Sequence, residues 1–154
     1  MYGLSRKHFG GDRLRVHGWT AFDVVKFMCK ASKTQSPKTT YEYVKFIVRG
    51  SPMLRGLVSE IFTHISKKKP GKILITEAIP LLTSWYELTL NLFGVNTVTF
   101  HSGLNASDRD KLVQRFNDPS DDLGAILLPY RVRAMGVNLQ GDCSEVVILT
   151  PAKT

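Results

Sequence analysis

The sequence predicts an α/β domain, a mostly parallel sheet flanked by helices. Three observations carry that prediction. Apolar runs of strand length recur at Lys72–Thr76, Val95–Phe100, Ala125–Leu128 and Glu145–Leu149. Stretches with apolar residues at helical spacing separate the first three runs. The last two runs are apolar at successive positions, which suits strands covered on both faces. Strands alternating with helical patterns imply parallel pairing through right-handed crossovers.

Each element has local support. Met1–Gly18 is basic, glycine-punctuated and low in periodicity, so it reads as poorly ordered or built to pack against another segment. Thr20-Ala21-Phe22-Asp23 resembles a capping box, which predicts a helix over Ala21–Lys30 with Phe22, Val24, Val25, Phe27 and Met28 as its apolar face. Ala31–Thr40 is a polar linker carrying Pro37, and Tyr41–Arg49 alternates loosely up to Gly50. Ser51-Pro52 places a capping side chain before a proline at the first helical position. Met53, Leu54, Leu57, Val58, Ile61, Phe62 and Ile65 then repeat at helical spacing. Lys67-Lys68-Lys69 follows where a helix dipole favours cations, a structural reason sufficient for the run.

Pro80 opens a further helix with Leu81, Leu82, Trp85, Leu88 and Leu92 on its inner face, Tyr86 at the surface, and Gly94 as a left-handed cap. Ser107 caps the next helix, with Asp108 and Asp110 in its first turn and Leu112, Val113 and Phe116 facing inward. An acidic turn over residues 117–122 leads to the strand at Ala125.

Composition narrows the function classes. The chain has 154 residues and a formal net charge of +8. Residues 1–50 hold ten Lys+Arg against three Asp+Glu, and residues 51–154 hold eleven against ten. The excess therefore sits in the first third, which favours a polyanionic partner but equally serves solubility. No apolar run reaches bilayer length and no signal-peptide core opens the chain, so an intracellular protein without a membrane span is expected. Cys29 and Cys143 are isolated thiols, and the four histidines lack metal-ligand spacing with them, so no metal is expected.

The segment between the last two strands, Arg131-Val132-Arg133-Ala134-Met135-Gly136-Val137-Asn138-Leu139-Gln140, follows the carboxyl end of a buried strand. Open α/β sheets place ligands there. Two arginines, a glycine and an asparagine suit a phosphate-rich ligand, while an ordinary surface loop fits the spacing as well. The pattern R-x-x-x-x-G-x-N-L-Q followed by a β-branched strand resembles motif V of superfamily-two helicases. It is most similar to the Swi/Snf-type DNA-translocating ATPases, especially fungal ones. The series F-H-S-G-L-N-A-S-x-R-x-x-L-V-x-x-F-N-D-P, from Phe100 to Pro119, resembles the family segment after the second strand. The resemblance runs from about Tyr43 to Pro151.

The resemblance implies a RecA-like P-loop-NTPase-type second lobe over residues 51–154, incomplete before motif VI, behind a basic, partly helical extension or linker over residues 1–50. It implies ATP contacts at Gly136 and Asn138, and DNA-backbone contacts at Arg131, Arg133, His101 and Ser102. The implied partners are DNA and a first RecA-like lobe, in cis or in trans, and the implied location is the nucleus. ATP and Mg²⁺ would bind only with that first lobe present, and no cofactor would bind to the chain alone.

Several parts of an ATPase are missing. Gly71-Lys72 is no P-loop, because Ser66 stands where a glycine is needed and Ile73 where Ser or Thr is needed. There is no DExH-type box, and the chain stops before the motif VI arginines. Arg131 and Arg133 precede the last strand and are not arginine fingers. Pro129 stands where the family has Ser or Thr, and proline offers no donor. Arg133-Ala134 replaces a glycine pair, and Thr76-Glu77-Ala78 replaces an aromatic-containing segment. No catalytic residue is therefore expected. Two further readings stay open: a non-catalytic nucleic-acid- or protein-binding pseudo-helicase module, and an unrelated small-molecule α/β domain.

Overall fold

The computed structural model describes residues 18–130 and 137–150. It contains helices α1 (Ala21–Ala31), α2 (Thr40–Gly50), α3 (Pro52–Ile65), α4 (Pro80–Leu92) and α5 (Ala106–Asn117), and strands β1 (Lys72–Glu77), β2 (Thr97–Thr99), β3 (Ala125–Pro129) and β4 (Cys143–Ile148). The strands form one sheet in the order β2-β3-β1-β4, and every neighbouring pair is parallel. The predicted fold class is the observed one.

Alternation along the strands divides the core into two layers, because successive side chains point to opposite faces. Ile73, Ile75, Ala125 and Leu127 face one way, and helices α1 to α4 cover them through Val25, Ile47, Leu54, Leu57, Ile61 and Leu90. Ile126, with Leu74 and Leu128 packed beside it, faces the other way against Leu112 and Phe116 of α5. Capping follows the sequence at three helices. Thr20 and Asp23 form the capping box of α1. Ser51 Oγ accepts from Leu54 N at 3.2 Å ahead of Pro52. Gly94 adopts φ 85°, the left-handed conformation that glycine tolerates without steric cost.

Five expectations are corrected. Tyr41–Arg49 lies within helix α2, started by a capping box between Thr39 and Glu42, and buries Tyr43 and Ile47 four residues apart. In α1, Val25 is buried and Phe22 and Val24 pack against the core as predicted, but Phe27 and Met28 are exposed, and Ala21 and Cys29 complete the inner line. Helix α5 is capped by Asn105, whose Oδ1 accepts from Asp108 N at 2.8 Å, and not by Ser107.

The inner face of α4 has Leu88 buried and Leu82, Trp85 and Leu92 packed against the core as predicted, and it departs from the prediction at Leu81 and Tyr86. Leu81 is 78% exposed, Trp85 is half-buried and Tyr86 is buried. Thr83, Thr89 and Asn91 are buried as well, and their polar atoms all find partners. Beyond Cys143, strand β4 is covered on one face only. Val146 and Ile148 are exposed, because β4 is the edge strand opposite β2 and α5 is the only helix on that face among the described residues.

Candidate functional site at the carboxyl ends of the strands

Parallel strands bring their carboxyl ends to one rim, the usual ligand side of an open α/β sheet. Four segments leave it: His101-Ser102 after β2, Tyr130 after β3, Ala78-Ile79 after β1, and Leu149-Thr150 after β4. Backbone bonds tie them together: Phe100 N to Leu127 O at 2.8 Å, Tyr130 N to Glu77 O at 3.1 Å, and Leu149 N to Thr76 O at 3.0 Å.

His101 and Ser102 are exposed in the turn between β2 and α5. His101 Nδ1 accepts from Gly103 N at 3.1 Å, which leaves Nε2 as the donor of the ring. Ser102 keeps an exposed hydroxyl, while its carbonyl accepts from Arg109 Nη2 at 3.2 Å. Two donors thus stand at one end of the rim.

Glu77 lies at the rim's middle and is fully buried. Its Oε1 accepts from Ala78 N at 2.7 Å, Ile79 N at 3.0 Å and Thr150 Oγ1 at 2.8 Å. The N-cap of α4, Ile79, has no side-chain oxygen, so this carboxylate stands in at the positive end of the helix. Its Oε2 is buried without a partner. Burial, and secondarily the Glu77 charge, pushes the Tyr86 phenol up.

Arg131, Arg133 and Gly136 lie outside the described residues. Asn138 is described, and the structure does not bring it to His101 and Ser102. Its carbonyl accepts from Asn117 Nδ2 at 2.7 Å, at the far end of α5. Helix α5 has 12 residues, which separates its two ends by about 18 Å at 1.5 Å per residue. The Asn138 Oδ1 accepts from Gln140 N at 3.1 Å, while Leu139 anchors the segment in the core. Asn117 Oδ1 also accepts from Gly141 N at 2.9 Å. One asparagine therefore braces the return of the loop. It lies inside the F-N-D-P stretch, but the sequence assigns it no role, because its partners are 21 and 24 residues away.

Two further polar clusters sit at the opposite end of the sheet. Lys72 is buried, and its ammonium donates to Arg115 O and Asp118 O at 2.5 Å, closing the end of α5. Its use is thus structural, in keeping with the absence of a P-loop. His64 is buried between Glu145 at Nδ1 (2.5 Å) and Gly71 O at Nε2 (2.7 Å). Lys67 donates to the same Glu145 oxygen at 2.8 Å. Lys67 first and His64 second hold the Glu145 carboxyl at about 2. The first lysine of the Lys67–Lys69 run is therefore an ion-pair partner of β4.

Residues 55–154 match the family model of the helicase conserved C-terminal domain. No curated protein matches the chain. Among solved structures, it is similar to the crystal structure of the C-terminal part of the Fun30 ATPase domain, with a TM-score of 0.62 and 18% identity. That similarity covers 86% of this chain and 41% of the other, so the chain spans less than half the length of this relative.

Proposed function

Because the chain belongs to the helicase conserved C-terminal domain family, we propose that it serves as the second RecA-like lobe of a Swi/Snf-type, fungal-type DNA-translocating ATPase. In this reading it docks on a first lobe, in cis or in trans, and contacts the DNA backbone from the rim. The observation that carries the reading is the pair of exposed donors, Ser102 Oγ and His101 Nε2, at the carboxyl end of an edge strand in an all-parallel sheet. Phosphate oxygens accept from such groups, and these contacts position a protein on DNA without reading its sequence. Arg131 and Arg133 add charge in the segment that follows Tyr130. Nuclear residence accompanies this role.

The described rim residues do not by themselves make a phosphate cradle. Pro129 has no N–H to offer, and Glu77 is an acceptor with an unpartnered buried oxygen. ATP and Mg²⁺ are accordingly assigned to the interface with a first lobe, with Gly136 and Asn138 as this chain's contribution. An ATPase of this kind also needs an arginine at the transition state, and losing it typically costs roughly 10³ to 10⁵ in rate. The 154-residue chain alone hydrolyses no ATP in this reading.

Two measurements test it. Anisotropy with a labelled DNA duplex should show affinity falling steeply with salt, and Ser102→Asp should weaken it at every salt concentration. Salt-independent binding, or none, would overturn the DNA role. A DNA-stimulated ATP turnover by the chain alone would overturn the assignment of the cradle to the first lobe. Pro129 and Glu77 also favour a second reading, a non-catalytic pseudo-helicase module. ATP binding that appears only when a first lobe is added supports the ATPase lobe, and DNA binding with no ATP binding in that mixture supports the module.

A further inference from the structure

On the helix-covered face of the sheet, α1, α2 and α4 leave an open groove of about 870 Å³. Trp19, Met28, Phe46, Leu81, Leu82 and Trp85 are among the apolar residues lining it, together with Arg49, Ser51 and Ser84. Large apolar surface stays in contact with solvent there: Leu81 is 78%, Trp19 50% and Met28 46% exposed. Contiguous apolar surface of this kind marks an interaction site, whereas single exposed residues do not.

A second, polar cleft of about 470 Å³ adjoins the groove, and Phe46 and Arg49 line both. Lys38, Lys45 and Arg49 stand on the cleft against one acid, Glu42. That acid is committed to the start of α2, where its Oε2 accepts from Lys38 N at 2.6 Å and Thr39 N at 3.4 Å. These backbone bonds, Lys38 first, hold its carboxyl below the usual range, so it remains ionised. The ion pairs among the described residues take up none of the three cations. The surface is therefore an apolar trough with a net positive bank.

We propose that this surface docks an acidic amphipathic helix of a protein partner, its apolar side chains in the trough and its carboxylates on Lys38, Lys45 and Arg49. The helix-in-groove mode needs an apolar channel of this kind, read by anchors one turn apart. Tryptophan and arginine, here Trp19, Trp85 and Arg49, are the residue types that dominate binding energy in such contacts. Ser51 and Ser84 are the small polar residues lining the channel, and the cations Lys38 and Lys45 lie beyond it on the adjoining cleft. Here the charges stand along one bank, which matches an extended partner. The proposal does not rest on the DNA reading.

The test titrates the full chain against three fluorescein-labelled peptides of about 16 residues, long enough to form helix on the surface. One carries leucines at helical spacing flanked by glutamates, one has those glutamates replaced by lysines, and one has the leucines replaced by serines. The acidic amphipathic peptide should bind, and each replacement should weaken binding by about tenfold or more. Leu81→Lys should weaken the acidic peptide by about tenfold, and Lys45→Glu with Arg49→Glu by a similar factor. Both variants change exposed or half-exposed positions, and circular dichroism checks that they remain folded. No binding of the acidic peptide, or equal binding of the lysine peptide, overturns the proposal. Self-association that Leu81→Lys abolishes, seen by sedimentation, also overturns it by making a second copy the occupant.

Discussion

Replacing Asn91 with alanine isolates the device that positions the edge strand carrying His101 and Ser102. Strand β2 pairs with β3 on one side only. On its other side, α4 supplies the missing partners. Asn91 Nδ2 donates to Thr97 O at 2.9 Å, and Asn91 Oδ1 accepts from Thr97 N at 3.1 Å. The amide thus imitates one residue of a neighbouring strand. Asn91 is 5% exposed and Thr97 1%, so water cannot take over. Asn91→Ala leaves a buried N–H and a buried C=O without partners, at about 1–3 kcal/mol each.

An edge strand can give way somewhat, so the expected loss is about 2–4 kcal/mol. For a chain of this length that lowers the melting temperature by about 4–16 °C, at roughly 2–4 °C per kcal/mol. Urea denaturation of the purified chain measures the loss. Hydrogen exchange locates it, and the Thr97 amide should lose its protection before those of β1. A loss below about 0.5 kcal/mol with Thr97 still protected would refute the argument, because unmet buried groups must cost more than that.

Three more outcomes follow from the same contacts. Asn117→Ala removes the bonds to Asn138 O and Gly141 N, and should cost about 1–2 kcal/mol and speed exchange of the Gly141 amide, with unchanged exchange there counting against the brace. Glu145 is held at about 2 in the fold against an ordinary value of 4.5, so its contribution is complete above pH 4.5 and is lost as pH falls toward 2. Glu145→Gln should therefore be less stable than the parent at pH 7, with the gap closing through that window in a series of denaturation curves. Gly71→Ala would set a Cβ 2.6 Å from Asp142 O at the junction of β1 and β4, and should destabilise the chain by about 1–3 kcal/mol in the same assay, a neutral result showing that the junction can open.

The sequence by itself determined the layers of this protein. Strand runs at Lys72 and Ala125, the caps at Thr20 and Ser51, and the left-handed Gly94 are local signals, set by short-range sterics and by which neighbours compete for water. The α2 helix was legible in principle through its Thr39–Glu42 box, but loose alternation over Tyr41–Arg49 masked it. For the candidate site, the sequence marks His101 and Ser102 as strand-end residues, since that needs only the position of β2.

What the tertiary structure alone decided is which polar groups meet across distance. Asn91 against Thr97, Asn117 against Asn138, His64 against Glu145 and Glu77 against Thr150 each join segments that periodicity treats separately. So does the exposure of Val146 and Ile148, which depends on how far α5 reaches over the sheet. A hydrogen bond is directional and short, so its existence depends on packing to within an ångström, and no repeat in the sequence carries that information.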